Sequence, residues 1–340
     1  MKNPSNPVTL TEEMLLQTLG LFQKQNVAVL GDVGIDRYTH GTVERISPEA
    51  PVPIVFVESE NLKLGLAANV ADNIIALGGK AAITGVIGKD GDAKDFERLM
   101  KEKGLSVRNV VADGTRRTIL KERVVAENQQ VLRVDYESTH PLAKTIQKKV
   151  LSSILNGVKG SSALIIEDYA KGLMNESMIQ SVIRAAKKKK IPVLVDPHLK
   201  TPAHWYAGAT LLTPNKKEAE ALAGLKIVDE ASLIAAGKSI IAATRSESLV
   251  ITLGKEGMAI FKGDSRRPIL IPTFAREVYD VSGAGDTVIS VLALSLASGA
   301  KLEEAAYISN LAAGVEVSKR GTATVSPQEI IQAYLQARGQ

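Results

Sequence analysis

The chain is organised around one stretch, Glu277-Val278-Tyr279-Asp280-Val281-Ser282-Gly283-Ala284-Gly285-Asp286-Thr287. An apolar segment from Val288 to Ala297 follows it directly and predicts a helix. Two glycines and an alanine at a helix start leave backbone N–H groups uncovered, and the helix dipole makes that end positive. Gly283, Ala284 and Gly285 therefore form a predicted site for an anion such as a transferring phosphoryl group.

Asp286 falls in the first turn of the same predicted helix. A carboxylate there can accept a proton from an attacking hydroxyl while the N–H groups hold the charge that develops beside it. The alternative is a Gly-rich turn in which Asp286 only starts the helix. Spacing alone leaves both interpretations open.

The run Asp280–Thr287, Asp-x-Ser-Gly-Ala-Gly-Asp-Thr, resembles the C-terminal signature of the ribokinase-like (PfkB) carbohydrate kinases. The resemblance implies an ATP-dependent sugar kinase in which Asp286 is the catalytic base and Gly283 to Gly285 form the anion hole. It further implies a monovalent cation such as K⁺ near Asp280 and Ser282. The resemblance extends over residues 25 to 338, which is nearly the whole chain.

The composition is that of an ordinary soluble protein, with 340 residues of which 45% are hydrophobic and 23% charged. The net charge of +5 suits small anionic ligands, whereas aromatic residues at only 4% disfavour a nucleic-acid surface. The absence of cysteine excludes disulfides, thiolate zinc sites and a cysteine nucleophile. No apolar run approaches the roughly 18 residues of a membrane span. No signal peptide is recognisable, so we expect a cytoplasmic enzyme with neither a nucleic-acid nor a membrane partner.

The family resemblance implies one α/β domain over residues 1–340, a three-layer sandwich with a mostly parallel central sheet. The first predicted strand, Val27–Leu30, ends just before Asp32 and Asp36. Ligands of open α/β sheets bind at the carboxyl ends of strands, so either aspartate is a candidate for sugar hydroxyls. The alternative is a turn aspartate and a salt-bridged aspartate. In the family such a carboxylate binds the sugar, and Asp36 aligns best with it.

Two β-rich segments without helical partners predict a small sheet that covers the sugar as a lid. The first spans about 39–58 and carries three prolines typical of edge strands, and the second spans about 106–136. Because an open lid sheet leaves an exposed edge, and because family lids often pair, we expect a homodimer through the lid.

Further substrate residues follow from motif matches. Gly65 and Asn69 match the N-terminal Gly-Gly…Asn signature, although Leu66 stands where the second glycine is usual. A leucine cannot cheaply adopt positive φ. Arg123 and Arg133 are candidates for holding a sugar phosphate through paired hydrogen bonds. Asp168 and Lys171 match a family motif that lies near the path of the transferred phosphoryl group. For these the alternatives are solvent-facing charges and a structural Asp–Lys pair.

The nucleotide side is predicted from three further motifs. Asn215-Lys216-Lys217-Glu218 matches the family's Asn-x-x-Glu, which positions Mg²⁺ and the nucleotide phosphates through water. An N-cap Asn with Glu at N3 is also a capping arrangement, and both roles can hold together. The resemblance places ATP-binding residues at Thr252, Gly254, Gly257 and Asn310.

Two local patterns narrow the substrate. Ser47–Pro53, Ser-Pro-Glu-Ala-Pro-Val-Pro, and the pattern Arg-x4-Asn-Gln-Gln-x2-Arg from Arg123 to Arg133 resemble kinases of D-glycero-β-D-manno-heptose 7-phosphate. The implied product is the 1,7-bisphosphate, a precursor of ADP-heptose and lipopolysaccharide. With no His-x-Gly-His motif in the sequence, we expect a separate adenylyltransferase to act downstream. Leu66 and His198, which stands where those kinases usually carry lysine, keep another sugar or nucleoside kinase open as an alternative. A non-catalytic ATP-binding regulatory protein is the alternative of a different class.

Overall fold

A computed structural model describes residues 10–338 of the chain, apart from residues 128, 264, 266, 276 and 320. Most of the described chain forms strands and α-helices that alternate along the sequence. The strands are β1 (Asn26–Gly31), β2 (Val33–Ile46), β3 (Pro53–Leu66), β4 (Lys80–Ile87), β5 (Val110–Ala112), β6 (Ile119–Ala126), β7 (Gln129–Tyr136), β8 (Ala163–Glu167), β9 (Val193–Asp196), β10 (Leu211–Leu212), β11 (Ser248–Thr252), β12 (Met258–Lys262) and β13 (Ile269–Ile271). The helices are α1 (Glu12–Leu21), α2 (Ala67–Ala76), α3 (Gly91–Glu102), α4 (Lys144–Lys159), α5 (Glu176–Lys188), α6 (Lys216–Ala223), α7 (Glu230–Thr244), α8 (Ala284–Ala297), α9 (Leu302–Glu316) and α10 (Pro327–Arg338).

The main sheet has nine strands in the order β13-β12-β11-β10-β9-β8-β1-β4-β5. All neighbours are parallel except at the β11, β12 and β13 edge, where the pairing is antiparallel. Central strands such as β8 are buried along their whole length, as expected of a parallel sheet covered by helices on both faces. The predicted mostly parallel α/β sandwich is confirmed.

Two hydrophobic cores lie on the two faces of this sheet. In β8, Ile165 packs into one core while Leu164 and Ile166 pack into the other, because successive side chains of a strand point to opposite faces. Helix α8 is buried over most of its length, from Thr287 to Ser295. The helix that carries Asp286 is thus fixed by its apolar residues within the first core.

The lid is a four-stranded sheet in the order β3-β2-β6-β7. Its first segment is longer than predicted: β2 and β3 pair from Val33 to Leu66, where the sequence indicated about 39–58. The second predicted segment, 106–136, begins too early. Residues 110–112 form β5, which pairs in parallel with β4 in the main sheet. This strand closes a β-α-β unit through α3, so the short apolar run belongs to the main sheet and only residues 119–136 belong to the lid.

Leu66 joins the lid to the main domain and adopts a backbone conformation unusual for leucine. Its φ is 58° and its ψ is −140°, at the N-cap of α2. The side chain is 5% exposed, and the next residue, Ala67, donates its N–H to the Asp32 carbonyl. Leu66 thus adopts the positive φ that is costly for leucine, and burial of its side chain offsets part of that cost. Within the described residues, no helix is both long and apolar enough to cross a membrane.

Replacing Leu66 by alanine or by glycine should separate the backbone strain from the buried side chain. Both variants lose the same packing, but only glycine adopts this φ and ψ without strain. Since such strain costs about 1–3 kcal/mol and glycine loses about 0.5–1 kcal/mol to unfolded-state entropy, Leu66→Gly should be more stable than Leu66→Ala by about 1 kcal/mol. Urea unfolding of both variants measures the difference. An alanine variant as stable as the glycine variant would contradict the strain at this position.

Candidate active site

Three carboxylates converge at the carboxyl edge of the main sheet. Glu167 ends β8, Asp196 ends the neighbouring strand β9, and Asp286 lies in the first turn of α8. Each offers one oxygen, and these three oxygens lie within 4.8 Å of one another. Glu167 is 1% exposed, and its Oε1 has no hydrogen-bond partner among the described residues. The site therefore has a buried oxygen free for a ligand.

Burial and neighbouring carboxylates raise the pKa values of Glu167 and Asp196. Burial, followed by the charge of Asp196, raises the pKa of Glu167 well above its usual range. Burial, followed by the charge of Glu218, does the same to the pKa of Asp196. Clustered carboxylates of this kind are stabilised by a divalent cation, and oxygen ligands are the ones that Mg²⁺ prefers. The donor set fits such an ion.

The carboxylate of Asp286 is held by two side chains. Asn69 donates its Nδ2–H to Oδ2 at 2.6 Å, and the Tyr169 hydroxyl donates to Oδ1 at 3.1 Å. Burial raises the pKa of Asp286 to about 6, and these two hydrogen bonds offset part of the rise. Asp286 is thus ionised at neutral pH yet more basic than an exposed aspartate, which suits a general base. Asn69, a predicted substrate residue, orients this carboxylate.

The residues of the predicted anion hole lie at the start of α8. Gly283 is the N-cap with a φ of 95°, and Ala284 and Gly285 form the first helical positions. A Cβ at Gly283 would lie 3.3 Å from Asn69 Nδ2 and 3.2 Å from Glu316 Oε1, so this position needs glycine for both its conformation and its space. The N–H groups of this first turn lie beside Asp286 and can receive a transferring phosphoryl group.

Behind the anion hole lies a carboxyl group that the sequence did not indicate. Glu316 ends α9 and is 0% exposed. Neither of its carboxyl oxygens has a hydrogen bond of good geometry within the described part of the chain. Burial, followed by the charges of Asp280 and Asp286, raises the pKa of Glu316 to about 8, and the nearby Ala323 N–H offsets only part of the rise.

Candidate ATP residues lie beside the three carboxylates. Asn215 caps α6 and forms a capping box with Glu218, and an isolated parallel bridge joins Asn215 to Thr252 at the end of β11. Asn215 and Glu218 therefore form the helix cap that was the alternative to a metal-binding role. The charge of Glu218 also raises the pKa of Asp196. The flanking Lys216 and Lys217 are exposed.

The other predicted ATP residues shape two loops. Gly254 opens a 3₁₀ turn that ends at Gly257, which has a φ of 91°. A Cβ at Gly257 would lie 2.0 Å from the Ile271 carbonyl oxygen, so glycine is required there. Asn310 is buried, and its Nδ2–H is donated to the Pro272 carbonyl at 2.7 Å.

One face of the lid is polar, and we call it the lid face. Side chains of directly paired strand residues point to the same side of a sheet. On this side, Asp36 of β2 is paired with Lys63 of β3 and Lys121 of β6, and Tyr38 of β2 is paired with Asn61 of β3 and Arg123 of β6. Lys121 and Arg123 are in turn paired with Asp135 and Arg133 of β7. The face therefore carries four basic and two acidic side chains. A surplus of basic groups beside Asp286 suits an anionic ligand.

The predicted substrate residues are placed differently from one another. Asp36 accepts a hydrogen bond from Arg123 at 2.6 Å, and a Cβ at Gly65 would lie 3.0 Å from Asp36 Oδ2. Arg133, in contrast, pairs with Asp135 through two hydrogen bonds of 2.7 and 2.8 Å. Asn128, part of the motif between these arginines, lies outside the described residues.

Two predicted substrate aspartates are committed to the protein itself. Asp32 is 2% exposed and accepts the backbone N–H of Lys171. Asp168 accepts the hydroxyls of Thr201 and Tyr206, each at 2.7 Å. The alternative of a structural Asp168–Lys171 pair is not what the structure contains, because Lys171 Nζ pairs with Glu137 at 2.6 Å. These contacts fix the loop after β8.

The predicted cation loop lines a cavity. Asp280 accepts the Ser282 N–H at 2.9 Å, and both residues line a cavity of about 550 Å³ that reaches the lid face.

Sequence reasoning missed the contributions of Glu167, Asp196 and Tyr169. The available signal was position, since each stands at or just after the carboxyl end of an apolar strand.

Glu316 makes the stability of the protein dependent on pH. The folded protein favours the neutral form of Glu316. The contribution of this neutral carboxyl to the free energy of unfolding is complete below about pH 4.5, the ordinary pKa of glutamate, and it is lost as the pH rises towards about 8. Each unit of pKa difference corresponds to about 1.4 kcal/mol, which amounts to a few kcal/mol in total. Glu316→Gln should match the wild type near pH 5 and exceed its stability at alkaline pH. Chemical unfolding across this range is the measurement, and an unchanged pH slope in the variant would contradict the buried neutral carboxyl.

Known proteins resemble this chain over most of its length. The profile described as "pfkB family carbohydrate kinase" matches residues 18–329. The chain is 44% identical over 306 residues to "Bifunctional protein HldE" of Geobacter metallireducens, covering 90% of this chain and 62% of that protein. It is 43% identical over 316 residues to the protein of the same name from Trichlorobacter lovleyi, covering 92% and 64%. The chain thus spans about three fifths of the length of the curated relatives it matches.

Solved structures share the fold at low sequence identity. Phosphofructokinase-2 from Escherichia coli in complex with potassium superimposes with a TM-score of 0.77 at 20% identity, covering 92% of this chain and 99% of that one. Arabidopsis thaliana ribokinase complexed with ribose and ATP gives 0.73 at 19% identity, covering 91% and 98%. Because the profile match covers most of its length, the chain belongs to the pfkB family of carbohydrate kinases.

Proposed function

We propose that this protein transfers the γ-phosphoryl group of ATP to the anomeric hydroxyl of D-glycero-β-D-manno-heptose 7-phosphate, in ADP-heptose biosynthesis. The observation that carries the proposal is the Asp286 carboxylate, held by Asn69 and Tyr169 beside the open N-terminus of α8. The basic lid face supports a phosphorylated sugar. The motifs at Ser47–Pro53 and Arg123–Arg133, together with relatives named bifunctional HldE, support the heptose.

The reaction needs one proton transfer and one phosphoryl transfer. Asp286 takes the proton of the sugar hydroxyl as that oxygen attacks the γ-phosphorus, and the bond from this phosphorus to the bridging oxygen of ADP breaks. The N–H groups from Gly283 to Gly285 hold the charge on the transferring group. Positioning contributes most of the rate, since little other covalent chemistry is required of the protein.

Magnesium is the proposed metal cofactor. Glu167 and Asp196, with Glu218 and the predicted Asn215 beside them, are the residues that would hold it, directly or through water. When bound, Mg²⁺ neutralises the charge of the nucleotide phosphates. The fit rests on the free Glu167 oxygen and on the raised pKa values of the two buried carboxyls.

We also propose ATP contacts at Thr252, Gly254 and Gly257, and K⁺ as a monovalent ion near Asp280 and Ser282.

A homodimer through the lid is supported by exposed apolar side chains on its strands, among them Phe56, Val57 and Leu132. The alternative to the heptose kinase is another sugar or nucleoside kinase of the same fold, which Leu66 and His198 favour. The ordered contacts of Asp286 favour catalysis over a purely regulatory ATP-binding role.

The substrate is tested by ADP release with Mg²⁺ and ATP on D-glycero-β-D-manno-heptose 7-phosphate, ribose, fructose, fructose 6-phosphate and adenosine. We expect turnover on the heptose phosphate to exceed that on the others. Faster turnover on another acceptor would reject the heptose while keeping the kinase chemistry. ATP binding without ADP release on any acceptor would favour the regulatory alternative.

Asp286→Asn should lose about 10²- to 10⁴-fold in kcat, because the amide cannot take the proton. ATP binding, measured by calorimetry, should be retained, since the anion hole is a backbone feature. The matched control is Asp95→Asn, because Asp95 is a partly exposed aspartate of α3 that pairs with Arg98 and not with the residues around Asp286. Wild-type turnover in Asp286→Asn would show that another group is the base.

A further inference from the structure

The basic side chains of the lid face differ in whether a carboxylate pairs with them. Arg133 and Arg123 each pair with a carboxylate, of Asp135 and Asp36 respectively. Lys63 and Lys121 have no carboxylate within ion-pair distance among the residues that the structure describes. An unpaired, partly buried cation is costly unless an anion neutralises it, so these two lysines are the candidates for contacts with anionic ligands.

Lys121 belongs to the reacting end of the site. Its Nζ lies 5.3 Å from the centre of the Tyr169 ring, whose hydroxyl donates to Asp286. The charge of Lys121 lowers the pKa of Asp286, after the larger effects of burial and hydrogen bonding. This lysine therefore lies where the acceptor hydroxyl and the transferring group meet.

Lys63 lies elsewhere, on the ring of Tyr38. Its Nζ is 5.6 Å from the ring centre, and Arg123, on the strand at the other side of β2, is 5.2 Å from the same centre. Lys63 donates one N–H to the Thr322 carbonyl at 2.6 Å. An ammonium group has three donors, so two remain for a ligand.

The Tyr38 hydroxyl is the second, independent sign of a ligand. Tyr38 is 9% exposed, and its hydroxyl is buried without a hydrogen-bond partner in the described part of the chain. A buried hydroxyl left unpaired is unfavourable, which indicates that a bound group completes it. Lys63, Tyr38 and Arg123 all line the cavity of about 550 Å³ that Asp280 and Ser282 also line, and Ser282 directly precedes Gly283 in the chain.

We propose that Lys63, with the Tyr38 hydroxyl and the free part of the Arg123 guanidinium, binds the phosphate group of the sugar at the end remote from the reacting hydroxyl. The proposal rests on the proposed phosphosugar kinase function and adds the residues that determine its preference for a phosphorylated acceptor. A phosphate dianion accepts several charge-assisted hydrogen bonds, and this site offers a lysine, a hydroxyl and an arginine. The predicted clamp residue Arg133 is not part of it, because Asp135 occupies its guanidinium.

The test pairs each protein variant with two acceptors, a phosphosugar and the same sugar without its phosphate. The phosphosugar is the one that the wild type turns over fastest. Lys63→Met should lower kcat/KM on the phosphosugar about ten- to a hundredfold, mainly through KM, and leave the unphosphorylated sugar within about twofold of wild type. Tyr38→Phe should show a smaller loss of the same kind. Lys63→Arg should retain the preference for the phosphosugar.

Lys94→Met is the matched control, because Lys94 is an exposed lysine of α3 and its loss changes the net charge equally. It should leave both acceptors unaffected. If Lys63→Met lowered kcat/KM equally on the two acceptors, the proposed contact between Lys63 and the phosphate would be wrong. The proposed kinase function would not be affected by that result. A wild type that prefers unphosphorylated acceptors would overturn this inference and the proposed substrate class together. Preference for a phosphosugar other than the heptose would reject only the heptose, and the comparison would still decide the role of Lys63.

Discussion

Repulsion among buried carboxylates at the carboxyl edge of the main sheet is the constraint on which the site depends. Glu167, Asp196 and Asp286 are brought within reach of one another by parallel strands and by the start of α8. Such a cluster destabilises the empty fold, and a cation with the phosphates of a nucleotide relieves it. The raised pKa values of these groups, the free oxygen of Glu167 and the open helix N-terminus are therefore parts of one arrangement.

The lid is joined by a short stretch of backbone to the residue that holds Asp286. Strand β3 of the lid ends at Leu66, and α2 begins at once with a turn that contains Asn69, the residue that holds Asp286. The strained conformation of Leu66 sets the angle between these two elements. A change in lid position would reach the carboxylate through only three residues. This connection would couple movement of the four-stranded sheet to the position of the Asp286 carboxylate.

Much of this could be predicted from the sequence, but only where a feature is local. The anion hole and Asp286 fall within eight consecutive residues, so their geometry follows from one helix start. Glu167 and Asp196 are brought together by strand register across the sheet, which no local pattern encodes. The same limit applies to Lys63, because only the pairing of β2 with β3 and β6 shows that it shares a face and an aromatic ring with Arg123. The lid boundary was misplaced because β5 is three residues long and reads like any short apolar run.

The most direct test of the central claim is the thermal stability of the metal-free protein and of its Glu167→Gln variant, each with a non-hydrolysable ATP analogue, with and without Mg²⁺. If the carboxylate cluster is held for a cation, Mg²⁺ should raise the unfolding midpoint of the wild type. The variant should start from a higher midpoint without Mg²⁺, because one buried charge is removed, and should respond less to the ion. An equal response of both proteins to Mg²⁺, or a variant that is less stable than the wild type without the ion, would contradict the account.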